Sequence, residues 1–205
     1  TFHRTKIIND MLWMVDTPYV ANYDCDILLP KTSYAYAINL LKDGTPREDG
    51  STYYPKCVYP YGQGTFQAQI HTNDEEISDF INSKFDFEKF QKWRPYDAKY
   101  GFVQFFNTEE YKRLGGENEG FIAYGYEDDE RFHRFNVCST VCRMNENVFH
   151  LEHKRTSNSW FNNPHIEANR SLWEKLMTCE KAELELYYKN VPYVKARNGQ
   201  KQSST

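Results

Sequence analysis

Residues 4–26, RTKIINDMLWMVDTPYVANYDCD, decide the fold class. Ile7, Ile8, Met11, Leu12 and Val15 recur at three- and four-residue spacing, the period of one helical face, so Arg4 to Val15 is predicted to be an amphipathic helix with that stripe inward. Thr17-Pro18 breaks it, because proline has no N–H to continue the ladder. Tyr19 to Tyr23 is short and β-prone, so a buried strand is expected there, running into the acidic turn Asp24-Cys25-Asp26. Helix, strand and acidic turn in that order point to an α/β sheet.

Further along, a second helix is expected over about Thr32 to Leu41. Asp43-Gly44-Thr45-Pro46 through Asp49-Gly50-Ser51 is dense in turn formers and reads as a mobile surface loop. Tyr53 to Gly64, with its prolines and Gly62-Gln63-Gly64, reads as extended chain and tight turns. Thr72-Asn73-Asp74-Glu75-Glu76 offers a cap and first-turn acids before Ile77, Phe80 and Ile81, which predicts a helix start. A strand is expected over Tyr100 to Phe106, then a short helix capped by Asn107 and stopped by Gly115-Gly116. Glu127 to Phe135 and Ile166 to Met177 are predicted helical, Val137 to Arg143 and Val148 to Leu151 extended.

Composition narrows the function. The chain has 205 residues, 40% of them hydrophobic, with 16 Tyr, 14 Phe and 4 Trp, enough for a sizeable core and too apolar for a disordered tail. Lys and Arg number 25 against 29 Asp and Glu, so no global basic field exists to hold nucleic acid. The longest apolar runs, around Ile27 to Leu29 and Ile38 to Leu41, fall far short of the roughly 20 residues that span a bilayer, so no transmembrane segment is predicted. Thr1-Phe2-His3-Arg4 has no apolar run of a signal peptide. Five cysteines, an odd number without a CxxC pair, argue against a zinc ribbon and a disulfide framework. Reduced thiols and a cytoplasmic location are the expectation.

Three clusters carry chemistry. Asp24 and Asp26 follow a strand, where α/β sheets place ligands, and a pair of carboxylates there suits a hard divalent cation and a diphosphate. The bland alternative is a solvated acidic turn. Tyr124-Gly125-Tyr126-Glu127-Asp128-Asp129-Glu130 opens a helix with four consecutive acids. Complementing the helix dipole accounts for one or two of them, and a carboxylate beside an acceptor hydroxyl can act as general base. Phe149-His150-Leu151-Glu152-His153-Lys154-Arg155 holds two histidines that face opposite sides of an extended segment, so one metal ligand is expected rather than two. Lys154 and Arg155 are either a solvated pair or a clamp on phosphate oxygens.

Taken together these residues resemble the glycosyltransferases of GT-A fold, specifically β-1,4-galactosyltransferases and bacterial family 2 enzymes of capsule and surface polysaccharide synthesis. Phe2-His3-Arg4-Thr5-Lys6-Ile7-Ile8-Asn9 is similar to that family's Phe-x-Arg-x-Lys-aliphatic-aliphatic-Asn, and Leu114-Gly115-Gly116, Phe121 and Tyr124-Gly125-Tyr126-Glu127-Asp128-Asp129 to its Gly-Phe, Trp-Gly-x-Glu-Asp-Asp signature. The resemblance implies an α/β domain with a mixed sheet flanked by helices, one catalytic domain over residues 1–195 followed by a flexible tail over 196–205. In the family the Phe-x-Arg segment follows the first strands of the nucleotide-binding half, so those strands are expected to be missing from this chain.

The resemblance also implies roles. Phe2 and Arg4 would touch the nucleotide, and Asp24 and Asp26 the diphosphate and Mn²⁺ (or Mg²⁺). Asp128 would be the base, with Tyr124 and Glu127 against sugar. His150 and His153 compete for the metal-binding place. The implied partners are a nucleotide sugar, with UDP the expected carrier, and a carbohydrate acceptor. Cys25 and Tyr124 depart from the galactosyltransferase pattern, so donor identity is not carried over. The competing readings are a non-catalytic carbohydrate-binding module and a metal-dependent phosphoryl or nucleotidyl transferase.

Overall fold

The computed structural model describes residues 2–60, 67–71, 82, 84, 94–96, 100–144, 146, 148–152 and 162–202. The helix start expected at Thr72, the Gly62-Gln63-Gly64 turn, His153 and the Lys154-Arg155 pair lie outside the described residues. The chain divides into two compact units, each built from separated stretches. One comprises residues 1–20, 106–141 and 156–205, the other 21–105 and 142–155.

The first unit is helical. Its described helices are α1 (Arg4–Met14), α2 of the chain being in the other unit, then α3 (Thr108–Arg113), α4 (Glu127–Cys138), α5 (Ile166–Met177), α6 (Lys181–Asn190) and α7 (Pro192–Gln202). Helix α1 forms where its periodicity predicts, but its buried residues are Thr5, Asn9 and Leu12, while Ile7, Met11 and Met14 are exposed. The inward face was misread because polar side chains here are recruited inward by hydrogen bonds, which an apolar-stripe reading does not count. Asn107 caps α3 as expected, accepting from the Glu110 amide at 3.0 Å. Helix α4 runs three residues past Phe135, so Val137 and Cys138, expected extended, are helical. Burial of Cys138 and Phe135 on one face outweighs the β preference of Val137. Two further differences lie at the end of the chain. Helix α6 was not foreseen; it starts on a reciprocal cap in which the Glu180 amide donates to Glu183 Oε2 at 2.8 Å. The stretch expected as a flexible tail is helical through Gln202, with Arg197 paired to Asp10 at 2.5 Å and to Glu119.

The second unit carries the sheets, and the chain passes between the units within β1 (Tyr19–Tyr23), β8 (Val103–Asn107) and β9 (Val141–Arg143). Those three strands form a sheet with β5 (Cys57–Tyr59) in the order β1-β8-β5-β9. Strand β1 is therefore an edge strand, mostly half-buried rather than the buried strand expected, and β8 and β5 supply the core with Val103, Phe105, Cys57, Val58 and Tyr59. A second sheet, in the order β2-β10-β6-β7, uses β2 (Ile27–Leu28), β6 (Gln67–His71), β7 (Arg94–Tyr96) and β10 (Phe149–Glu152). It is mixed: β10 runs parallel to β6 and antiparallel to β2, which agrees with the predicted α/β class and its mixed sheet. Helix α2 (Lys31–Asp43) ends at Gly44, whose φ of 76° is ready-made for glycine. The expected mobile loop after it is a short hairpin, β3 (Thr45–Pro46) against β4 (Thr52–Tyr53). Its turn is closed by Arg47 and Ser51 backbone bonding at 2.8 Å and by Asp49 Oδ1 accepting from the Ser51 amide at 2.9 Å, so turn formers here build a structured reversal.

Candidate active site

Two of the sequence motifs meet inside the first unit. The polar face of α1 docks on the loop that follows α3. Thr5 Oγ1 donates to the Phe121 carbonyl at 2.9 Å, His3 Nε2 lies 2.9 Å from the Glu119 carbonyl, and Asn9 exchanges a pair of hydrogen bonds with the Glu117 backbone at 2.7 and 2.8 Å. That approach requires Gly116: with φ of 64° and Asn9, Leu12 and Trp13 packed against its Cα, a side chain has nowhere to go. The Asn9 that closes the first motif is thus the residue that grips the second.

From Phe121 the chain enters α4 through a contorted loop. Ala123 (φ 61°) and Tyr126 (φ 71°) both sit in the left-handed region, where residues with a Cβ are strained. Two asparagines hold the loop in place. Asn169 donates to the Ile122 carbonyl at 3.0 Å and the Gly125 carbonyl at 3.2 Å and accepts from the Ile122 amide at 3.1 Å, while Asn163 donates to the Tyr124 carbonyl at 2.6 Å. The Tyr126 ring stacks on Trp173, 5.1 Å between centroids.

The four acids of α4 then separate into two kinds. Glu127 and Glu130 point inward, and Asp128 and Asp129 outward. Glu130 pairs with Arg134 at 3.1 Å and accepts from Tyr188 Oη at 2.6 Å, and Arg134 also donates to the Leu114 carbonyl. Glu127 is 4% exposed, accepts from the Gly125 amide at 2.8 Å and lies 3.7 Å from Arg4 Nη1. Burial, and then the neighbouring Asp128 charge, push its carboxyl up to about 7, against the pull of Arg4. Burial followed by Asp128 likewise raises Asp129. Asp128, whose side chain is 28% exposed, has Oδ1 held by Arg131 Nη2 at 2.5 Å and by Arg4 Nη1 at 3.9 Å. Arg131 is fully buried and anchored in turn: its Nη1 donates to both oxygens of buried Glu117 at 2.9 and 2.8 Å, and Glu117 accepts from Tyr111. Burial, then Glu117, holds the Tyr111 phenol well above its ordinary range, so it stays a donor.

The second unit places the other cluster. Asp24 and Asp26 occupy a tight turn in which the Ile27 amide donates to the Asp24 carbonyl at 3.1 Å. The register that sets His150 opposite Ile27 brings His150 Nε2 to 3.5 Å from Asp26 Oδ2, with the imidazole stacked on Phe102 at 4.8 Å. Ligand atoms at right angles on a cation with bonds of about 2.1 Å stand about 3 Å apart, so this imidazole and carboxylate can close on one divalent ion with little movement. Among the described residues no three His, Cys, Asp or Glu side chains group as a metal site.

Of the residues singled out in the sequence, Arg4, Glu127 and Asp128 are brought together, as are Asp26 and His150. Phe2 (59% exposed) and Tyr124 (52%) project to solvent. Cys25 is exposed and all five cysteines are free thiols. Sequence reading missed Glu117, Arg131, Asn163 and Asn169. Arg131 was within reach, standing three residues after Asp128 on the same helical face, as Arg134 stands four after Glu130. The asparagines carry no such signal, because their partners are backbone groups about forty residues away in sequence.

A family match now bears on this arrangement. Residues 83–154 match the family described as "N-terminal domain of galactosyltransferase". The matched stretch contains Gly115-Gly116, the acid run of α4 and His150, and it supports the glycosyltransferase reading at the level of reaction class. No curated protein sequence matches the chain. Among 34 matching solved chains is the catalytic domain of Drosophila β1,4-galactosyltransferase 7 in complex with xylobiose, 20% identical with a TM-score of 0.47, covering 82% of this chain. The chain spans 60% of that solved domain. No helix among the described residues is long and apolar enough to cross a membrane.

Proposed function

We propose that this chain belongs to an inverting glycosyltransferase that moves a sugar from a nucleotide-diphosphate donor, UDP being the expected carrier, to a hydroxyl of a carbohydrate acceptor. The observation that carries this reading is Asp128: a partly exposed carboxylate, tied through one oxygen to a buried arginine, inside the stretch that matches galactosyltransferases. Asp128 takes the proton of the acceptor hydroxyl while that oxygen attacks the anomeric carbon and the bond to the diphosphate breaks, its electron pair leaving with the phosphate oxygen. Attack from the face opposite the leaving group inverts the anomeric centre. Glu127 and Tyr124 are assigned to sugar hydroxyls and a sugar face, and Phe2 and Arg4 to the nucleotide.

Asp26 and His150, with Asp24, are the residues assigned to a divalent cation, Mn²⁺ or Mg²⁺; His153 remains the second candidate by sequence. Bound there, the cation would supply positive charge to the departing diphosphate. The resemblance to family 2 enzymes extends the proposal to bacterial capsule and surface polysaccharide synthesis.

Two measurements test the reading. Calorimetry with UDP is expected to show binding that depends on Mn²⁺, and mass spectrometry over a panel of nucleotide sugars is expected to show a transferred hexose. Asp128→Asn should keep the fold and UDP binding but lose at least ~100-fold in transfer rate. Undiminished transfer by that variant removes Asp128 as base, and sugar binding without any transfer by the wild type favours a carbohydrate-binding module.

A further inference from the structure

We propose that Arg131 is the positioning residue of the transfer reaction: it fixes Asp128 through Oδ1, so that Oδ2 is the oxygen presented to the acceptor proton. This rests on the assignment of Asp128 as base. Among the described residues, every hydrogen bond and ion pair of Asp128 falls on Oδ1, from Arg131 Nη2 and Arg4 Nη1. Arg131 is fully buried, yet it stands beside a carboxylate open to solvent. A buried guanidinium of this kind is a rigid post, because its planar fork is held at a fixed angle by its other partner. That partner is Glu117, which engages Nη1 through both oxygens and is itself held by Tyr111 Oη and, through its backbone, by Asn9.

The relay therefore runs from α1 and α3 through Glu117 to Arg131 and ends on one oxygen of one outward carboxylate. The neighbouring pair shows what a purely structural solution looks like. Arg134 and Glu130, one turn on, satisfy each other and a tyrosine wholly inside the unit and reach no exposed group. Arg131 differs in extending its second Nη outward. Among the described residues, the charged and titratable groups that face Asp128 are Arg4 from α1 and Glu127, Asp129 and Arg131 from its own helix, with Glu117 and Tyr111 behind Arg131. With the two arginines opposed by two acids, removal of Arg131 leaves Asp128 beside Glu127 and Asp129, with Arg4 as its one close cation among the described residues.

The single substitution Arg131→Met strands a buried Glu117, so the informative variant is the double one, Glu117→Gln with Arg131→Met, compared with Arg131→Lys. In the full chain the double variant should lose about 10- to 100-fold in kcat with the donor KM nearly unchanged, because a misdirected base is felt only in the transition state. Arg131→Lys, which restores the charge without the fork, should recover only part of that kcat, again with the donor KM nearly unchanged. The ¹³C signal of the Asp128 carboxyl at fixed pH, assigned with Asp128→Asn, reads the same contact without turnover: it should move in the double variant and return part-way in Arg131→Lys. An active wild type whose kcat and carboxyl signal do not change in a folded double variant overturns the proposal and leaves the transferase reading intact. A wild type that transfers no sugar while the signal moves overturns the transferase reading, and with it a role in transfer, while establishing the Arg131–Asp128 contact.

Discussion

The two acidic sites of this protein are built in opposite ways. In the helical unit, Glu127 to Glu130 are embedded: each inward acid meets a buried cation or an amide, and Asp128 is tied to a post that runs back through Arg131 and Glu117 to α1. In the sheet unit, Asp26 and His150 meet across one strand register, 3.5 Å apart, in a turn whose other neighbour, Cys25, lies in solvent. A base must be aimed before its proton arrives, so rigidity serves it. Cation ligands, the role proposed for the second pair, are drawn into place by the ion, so a carboxylate in a turn beside an imidazole on the neighbouring strand suffices.

The largest effect is expected from cutting the embedded network. Arg134→Leu leaves Glu130 charged and unpaired in the interior and should cost about 3–5 kcal/mol in a urea denaturation, with the double variant Glu130→Gln, Arg134→Met recovering much of it. A loss below about 1 kcal/mol would mean the network is ornamental and the two sites are alike.

The next effect concerns Glu127. A carboxyl held at about 7, against an ordinary 4.5, keeps its proton in the native state where the unfolded chain has released it. Native protein thus binds more protons between those values, and stability declines as pH rises from about 4.5 to about 7, by something on the order of 3 kcal/mol. Asp129, raised by burial, acts in the same direction; His133, lowered by burial, acts oppositely, losing stability as pH falls below its ordinary range. Glu127→Gln should flatten the wild-type decline in urea midpoint over that window. An unchanged slope would place Glu127 in water and undo the contrast.

Smallest in stability, though not in function, is the sheet site. Asp26→Asn should shift stability by no more than about 1 kcal/mol, since a half-buried pair 3.5 Å apart at a turn contributes little, while Mn²⁺-dependent UDP binding is lost in calorimetry with either Asp26→Asn or His150→Ala. A large stability loss from Asp26→Asn would make the turn structural rather than ligand-binding.

Much of this was legible in the residues. The helix of Arg4, the strand of Tyr19, the Asn107 cap and the acid-led helix all form where spacing and capping place them, because those signals are local. The acid run and the histidine segment were visible as clusters. What could not be read was the inward face of α1. Its apolar period pointed Ile7 and Met11 inward, whereas Thr5 and Asn9 go in, since the loop at Glu117 to Phe121 offers backbone groups that only polar side chains can satisfy.

By itself, then, the order of residues determined the helices opening at Arg4, Thr108 and Glu127, the strand at Tyr19, the glycines at 115 and 116, and the types of side chain available for proton and cation chemistry. Only the tertiary structure decided which acids face inward, which oxygen of Asp128 is tied, and that His150 stands beside Asp26. The reason is range: propensity and periodicity act over a few residues, while Asn9 reaches Glu117, which anchors Arg131, and Asp26 reaches His150 across more than a hundred positions.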